Sequence, residues 1–132
     1  MKQLIAVLSA VAVMAVAILG SQAANAQQRS VLSKTDISDT PGKEGVLLSV
    51  VIPPGLIGGK HYHPGDEFLY LVEGTLTIEI DDKPPVTLKL GETLHIPGKA
   101  IHRALNPNAN APARVLTFGV FQKGQPDTTP VK

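Results

Sequence analysis

The sequence predicts an all-β domain whose short strands close into a barrel or a double-sheet jelly roll. Three observations carry this. Apolar residues alternate with a period of two, most strictly in Thr75-Leu76-Thr77-Ile78-Glu79-Ile80, the pattern of a strand with one buried face. Turn signals recur at short intervals: Pro53-Pro54-Gly55, Gly58-Gly59, Pro64-Gly65, Glu73-Gly74, Gly91 and Pro97-Gly98. No segment after residue 26 keeps a helical period over ten residues. Seven or eight short antiparallel strands in about 90 residues must close on themselves to bury their edges.

Taken in order, the chain begins with a leader-like segment. Lys2 precedes an uncharged run from Leu4 to Leu19, followed by Ala24-Asn25-Ala26, which has the shape of a cleavable secretory signal over residues 1–26. The expected mature protein is therefore secreted or periplasmic, cut after Ala26, with no stable membrane association. Residues 27–45 form an N-terminal segment whose first residues, 27–30, are polar and expected to be loose. Strands are expected over 46–52, 68–72, 75–80, 86–90, 93–96, 101–105 and 114–121, within one domain spanning 46–123. Residues 124–132, with Pro126 and Pro130, read as a flexible tail.

Composition excludes several function classes. The chain has 132 residues and no Cys, so it builds no disulfide framework, no thiolate metal site and no lipid anchor on cysteine. Removing residues 1–26 takes away Lys2 and no acidic group, leaving 11 basic and 11 acidic residues. A neutral chain with scattered charge lacks the basic stripe that nucleic-acid binding needs and the Lys/Arg cluster that an anionic membrane would attract.

Chemistry concentrates in one spaced pattern. Gly55 is followed after five residues by His61, then after one by His63, after three by Glu67 and after six by Gly74; a second block reads Gly91, Pro97, His102, Asn106. Successive strand residues point to opposite faces, so His61 and His63 project to the same side while Tyr62 points away. The turn at Pro64-Gly65 sends Glu67 into the next strand, and a later strand carries His102. Three imidazoles and one carboxylate inside a barrel would be unpartnered polar groups unless they hold something, and they are suitable ligands for a divalent transition metal.

These two blocks resemble the two motifs of the cupin superfamily, over residues 55–106. The resemblance implies a cupin-type double-stranded β-helix, a jelly-roll barrel, with His61, His63, Glu67 and His102 around one metal ion. It departs in one place: the family's second motif usually carries Gly two residues after the Pro, where this chain has Lys99. Ligand types leave the metal open among Cu, Zn, Mn, Fe and Ni. With a six-coordinate ion two positions stay open for a small organic substrate and O₂ or water, as in cupin oxygenases; with Zn held by all four ligands the site is structural or a Lewis acid.

Two functions follow: a metal-dependent, dioxygenase-like enzyme acting on a small organic molecule, or a non-catalytic extracytoplasmic module that binds a metal or a small ligand. Glu67 is a ligand and also a candidate proton acceptor. His95, Asn106, Leu69, Leu71 and Ile96 are expected around the site, as outer-shell partners or as an aliphatic pocket lining. Asn106 has a loop-supporting role as its alternative. The strand Phe68–Val72 is apolar on both faces, so one face needs a cover, and a homodimer is expected.

Overall fold

The computed structural model describes residues 26–132. The expected signal segment, up to its last residue, lies outside the described residues. Ten strands follow one another: β1 (Gln28–Asp36), β2 (Lys43–Ile52), β3 (His61–Tyr62), β4 (Asp66–Glu73), β5 (Leu76–Ile80), β6 (Val86–Leu88), β7 (Thr93–Ile96), β8 (His102–Leu105), β9 (Ala113–Gln122) and β10 (Thr129–Pro130). They form two five-stranded sheets of order β1-β2-β9-β4-β7 and β10-β3-β8-β5-β6. All pairings are antiparallel. The all-β jelly roll expected from the alternation is the observed fold, and no helix among the described residues is long and apolar enough to cross a membrane.

Alternation places the core between the sheets. On the first sheet the inward residues Val46, Leu48, Val50 and Ile52 of β2 are buried together with Leu69 and Leu71 of β4 and Ile96 of β7, and Leu76, Ile78 and Ile80 on β5 face them from the second sheet. Each such side chain contributes about 1.5–3 kcal/mol when fully buried. The outer face of the first sheet is different. Phe68, Tyr70 and Phe118 remain half exposed there, with Phe68 opposite Phe118 across β4 and β9.

Two segments expected to be loose are strands. β1 pairs with β2 over its length, Gln28 opposite Val51 through Asp36 opposite Glu44, with a bulge between Val31 and Ser33. All nine of its residues are exposed, so it has no buried face to signal it and is held by ladder hydrogen bonds. At the other end Thr129 and Pro130 pair with Tyr62 and His61, and the Val131 N–H donates to the Lys60 carbonyl at 2.9 Å. The tail is thus a strap across β3.

The turn at which the second motif departs from the cupin pattern also has a physical account. Lys99 adopts φ +63°, the left-handed region that glycine enters freely and other residues at a cost. Its N–H donates to the His63 carbonyl at 2.9 Å, while the Gly98 N–H donates to Asp66 Oδ1 at 2.8 Å. These bonds fasten the turn to the loop after His63. Gly65 lies in that loop, where a Cβ would sit 1.9 Å from the Val120 carbonyl oxygen, so no side chain fits.

Candidate metal centre

The three histidines come from two strands and one strand end of the second sheet. His61 on β3 stands opposite His102 on β8, and His63 follows two residues on, so the three rings share one side. Ring nitrogens from all three lie within 4.8 Å of one another, and the ring centroids are 4.4–5.1 Å apart. His63 and His102 are each 3% exposed.

Each ring is oriented by its own backbone acceptor. His61 Nδ1 donates to the Gly59 carbonyl at 2.9 Å, His102 Nδ1 to the Ala100 carbonyl at 2.8 Å and His63 Nδ1 to the Asp127 carbonyl at 2.5 Å. A carbonyl only accepts, so Nδ1 carries the proton in all three and Nε2 is left with its lone pair. That arrangement is the usual outer shell of a metal-binding imidazole.

Glu67, on β4 of the facing sheet, closes the group. Its Oε2 lies 3.1 Å from His63 Nε2 and 3.7 Å from His102 Nε2, with the carboxylate buried. A lone pair and a carboxylate oxygen at that separation need a cation between them, either a proton or a metal ion. In the metal-free protein the proton serves. Burial alone would raise the Glu67 carboxyl, but hydrogen bonds to His102 and His63 and their charge outweigh it and hold it at about 2. Burial pushes His63 down, and the hydrogen bond to Glu67 with its charge overcomes this, so His63 ends above the ordinary histidine value; the positive charge of Arg29 works against that rise. His61, which desolvation dominates, ends below it. The donor set fits a divalent transition metal, which would take the place of the shared proton.

The group opens into a pocket of about 210 Å³, smaller than the ~300–1,000 Å³ of drug-sized sites. Its floor is aliphatic, formed by Val50, Ile52, Leu69, Leu76, Ile78 and Ile96, and its rim carries Gln27, Arg29, Lys60, Thr128 and Pro130. Of the residues expected around the site, Leu69 and Ile96 line this pocket. Leu71 does not. It points inward on β4 but lies four residues beyond Glu67, about 13 Å along the strand, in the packed core.

His95 is also corrected. On β7 it alternates with Leu94 and Ile96 to face outward, half exposed, its ring stacked on Phe68 at a 4.8 Å centroid distance. Asn106 is buried outside the pocket lining and ties loops together. Its Nδ2 donates to the carbonyls of Ile52, Pro53 and Ala111, and its Oδ1 accepts from the Asn108 N–H.

Sequence reasoning missed several groups at the site. Arg29 reaches the rim on a strand with no buried face and Gln27 from just before it, and Thr128 and Asp127 arrive on the C-terminal strap. Gly119 had a readable signal, since an isolated glycine at an inward position of an apolar strand marks a close approach. A Cβ there would meet the Phe121 ring at 2.0 Å, and that ring stacks on His63 with an interplanar angle of 19°.

Residues 48–119 match the family described as Cupin domain. The chain belongs to that family. Among curated relatives, the tetracenomycin polyketide synthase protein TcmJ of Streptomyces glaucescens is 33% identical over 110 residues, covering 78% of this chain and 70% of that protein. Protein SchB of Streptomyces halstedii is 37% identical over 79 residues, and the match covers 59% of this chain and 54% of SchB. Solved structures agree on the cupin fold. A cupin-like protein from Thermotoga maritima superposes with a TM-score of 0.64 at 21% identity, covering 80% of this chain and 75% of that one. The DMSP lyase DddQ from Ruegeria pomeroyi superposes with 0.66 at 19%, covering 86% and 56%.

Proposed function

We propose that this cupin holds one divalent transition-metal ion through His61, His63, His102 and Glu67 and works as a metal-dependent, oxygenase-type enzyme on a small organic molecule. The observation that carries the reading is the common orientation of the three imidazoles, each with Nδ1 committed to a carbonyl and Nε2 turned to the others and to Glu67. A metal ion held by these four residues would supply Lewis-acid or redox chemistry.

The chain's own residues do the rest. The aliphatic floor excludes water and packs the substrate body. Glu67, with its carboxylate turned towards His63 and His102 at the pocket, would be placed to take a proton from a substrate. The strap, by holding His63 Nδ1, keeps that ring in one tautomer. A relative named for a polyketide synthase supports chemistry on a small organic molecule.

Elemental mass spectrometry of protein purified without chelator or nickel affinity tests this, with a His61→Ala/His102→Ala control. About one equivalent of Fe, Mn, Ni or Cu, lost in the control, is expected and leads to an O₂-consumption screen. Stoichiometric Zn would replace the oxygenase reading with a Lewis-acid or structural site. Absence of metal from both proteins would refute the metal site and leave the non-catalytic binding module.

Two further readings accompany this one. The leader-like residues 1–26 support work outside the cytoplasm, which cell fractionation checks. The half-exposed Phe68, Tyr70 and Phe118 support a homodimer through the outer face of the first sheet, because an apolar patch of this kind is self-complementary about a twofold axis. Sedimentation should give two chains for wild type and one for Phe68→Asp/Phe118→Asp; a monomeric wild type refutes it.

A further inference from the structure

The pocket holds one acidic residue among its described lining, Glu67, and that carboxylate is turned towards His63 and His102. Its rim holds two cations, Lys60 and Arg29. Lys60 is engaged, with Nζ 2.5 Å from Asp81 Oδ1. The chain's other two arginines are engaged as well, Arg103 with Glu79 at 2.6 Å and Arg114 with Glu73 at 3.3 Å. Arg29 differs. Among the described residues no carboxylate pairs with it, and its one side-chain hydrogen bond runs from Nη1 to Thr128 Oγ1 at 2.8 Å.

A guanidinium offers five N–H donors in a planar fork. One directed at a neutral hydroxyl leaves the others for a ligand. The side chain is also held in place. Arg29 stands opposite Val50 in the β1–β2 ladder, and Val50 lines the pocket floor. From the other side the strap presents Thr128, itself anchored by β10. A planar fork fixed at the mouth of an apolar cavity recognises a carboxylate or a similar flat oxyanion by two parallel hydrogen bonds.

We propose that Arg29 is the specificity-determining residue of this pocket and selects a small aliphatic organic anion, its carboxylate on the Arg29 fork and its hydrocarbon body on the floor of Val50, Ile52 and Leu76. This rests on the pocket being a small-molecule site, as argued above. The size follows from the cavity. A volume of about 210 Å³, below the ~300–1,000 Å³ of drug-sized sites, suits a short-chain carboxylate, for which pentanoate is the probe.

The test measures binding of pentanoate and of its uncharged isostere pentanamide by titration calorimetry, to the full chain as purified and after metal removal by chelator. Wild type, Arg29→Gln and Arg29→Lys are compared, with metal content followed in each. Wild type should prefer pentanoate by about ten-fold or more, the effect of a charge-assisted pair, in both metal states. Arg29→Gln should bring the ratio to about one at unchanged metal content, and Arg29→Lys should restore part of it.

A wild type that binds the two probes equally, or binds neither, overturns the proposal. So does a preference that survives in Arg29→Gln; one that is then lost on metal removal would belong to the metal and leave the metal reading standing. An Arg29-dependent preference in a protein that never holds metal would support the proposal while sinking the metal reading. Arg29 is exposed on an edge strand, so its replacement leaves the core intact, and circular dichroism of each variant checks this.

Discussion

Replacing Asn106 tests how the loops at one end of the barrel are fastened. Its Nδ2 meets the Ala111 carbonyl at 2.8 Å and those of Ile52 and Pro53 at 3.2 Å each, and its Oδ1 accepts from Asn108 at 3.0 Å. An amide carries two hydrogens, so the three donor contacts amount to two full bonds, one hydrogen being shared. With the Oδ1 bond this makes about three bonds, each contributing roughly 1 kcal/mol net. Alanine leaves the Ala111 carbonyl short of a donor, while the Pro53 carbonyl keeps the Leu56 N–H at 3.2 Å and Ile52 stays opposite Ala113 in the β2–β9 ladder. The expected loss for Asn106→Ala is about 3–4 kcal/mol, a large share of the ~5–15 kcal/mol of a typical domain. Asn106→Asp keeps the shape and reverses the polarity, facing a carboxylate with three carbonyl oxygens, and should cost at least as much. Urea unfolding followed by circular dichroism measures both. An aspartate variant as stable as wild type, or an alanine variant within about 1 kcal/mol of it, would show that shape and not donation holds the loops.

Other expectations concern the turn, the acid and the strap. Lys99→Gly should raise stability by about 1 kcal/mol, a rise of ~4–8 °C in Tm at this size, because φ +63° costs a side-chain-bearing residue more than glycine loses in entropy; a lower Tm refutes this. In metal-free protein Glu67 titrates at about 2 when folded against 4.5 unfolded. Its folded value is depressed, so its contribution, on the order of 3 kcal/mol, is complete above pH 4.5 and is lost as pH falls from there towards 2. The urea midpoint should drop across that window, and Glu67→Gln should flatten the drop; equal slopes in the two proteins would count against the shared-proton account. Ending the chain at Gly124 removes the Asp127 carbonyl from His63 Nδ1 and should weaken Zn²⁺ binding about 10–100-fold in competition with a chromogenic chelator. Unchanged affinity would show that the strap does not orient His63.

Legibility in the sequence followed burial. The alternation of β5 and the inward half of β2 were readable because one face of each strand is apolar and the other is not. The β1 segment Gln28–Asp36 was unreadable as a strand, since a ladder on an exposed edge requires no particular side chain. The histidines could be placed because a period-two spacing fixes a shared face within one segment, and Glu67 because a Pro-Gly turn carries the chain across. Arg29 and Asp127 could not. They reach the same mouth through sheet order, which places β1 beside β2 and β10 beside β3, and no local pattern reports which distant strands will be neighbours. His95 was readable in direction, since Leu94 and Ile96 turn it outward, and the pairing with Phe68 that follows lies beyond a one-strand argument.

The Asp127–His63 contact also sets the order in which the chain can finish. The two residues are separated by 64 positions, and β2 pairs with β9 across a similar distance, Lys43 opposite Gln122. Loop closures of that length are slow, and topologies built on them fold late. A chain emerging from its N-terminus exposes His61, His63 and Glu67 well before residue 127 has left the ribosome. Until then His63 lacks the acceptor that selects its tautomer. Capture of an ion in the final geometry would therefore be a late event of folding, coupled to arrival of Asp127 beside His63.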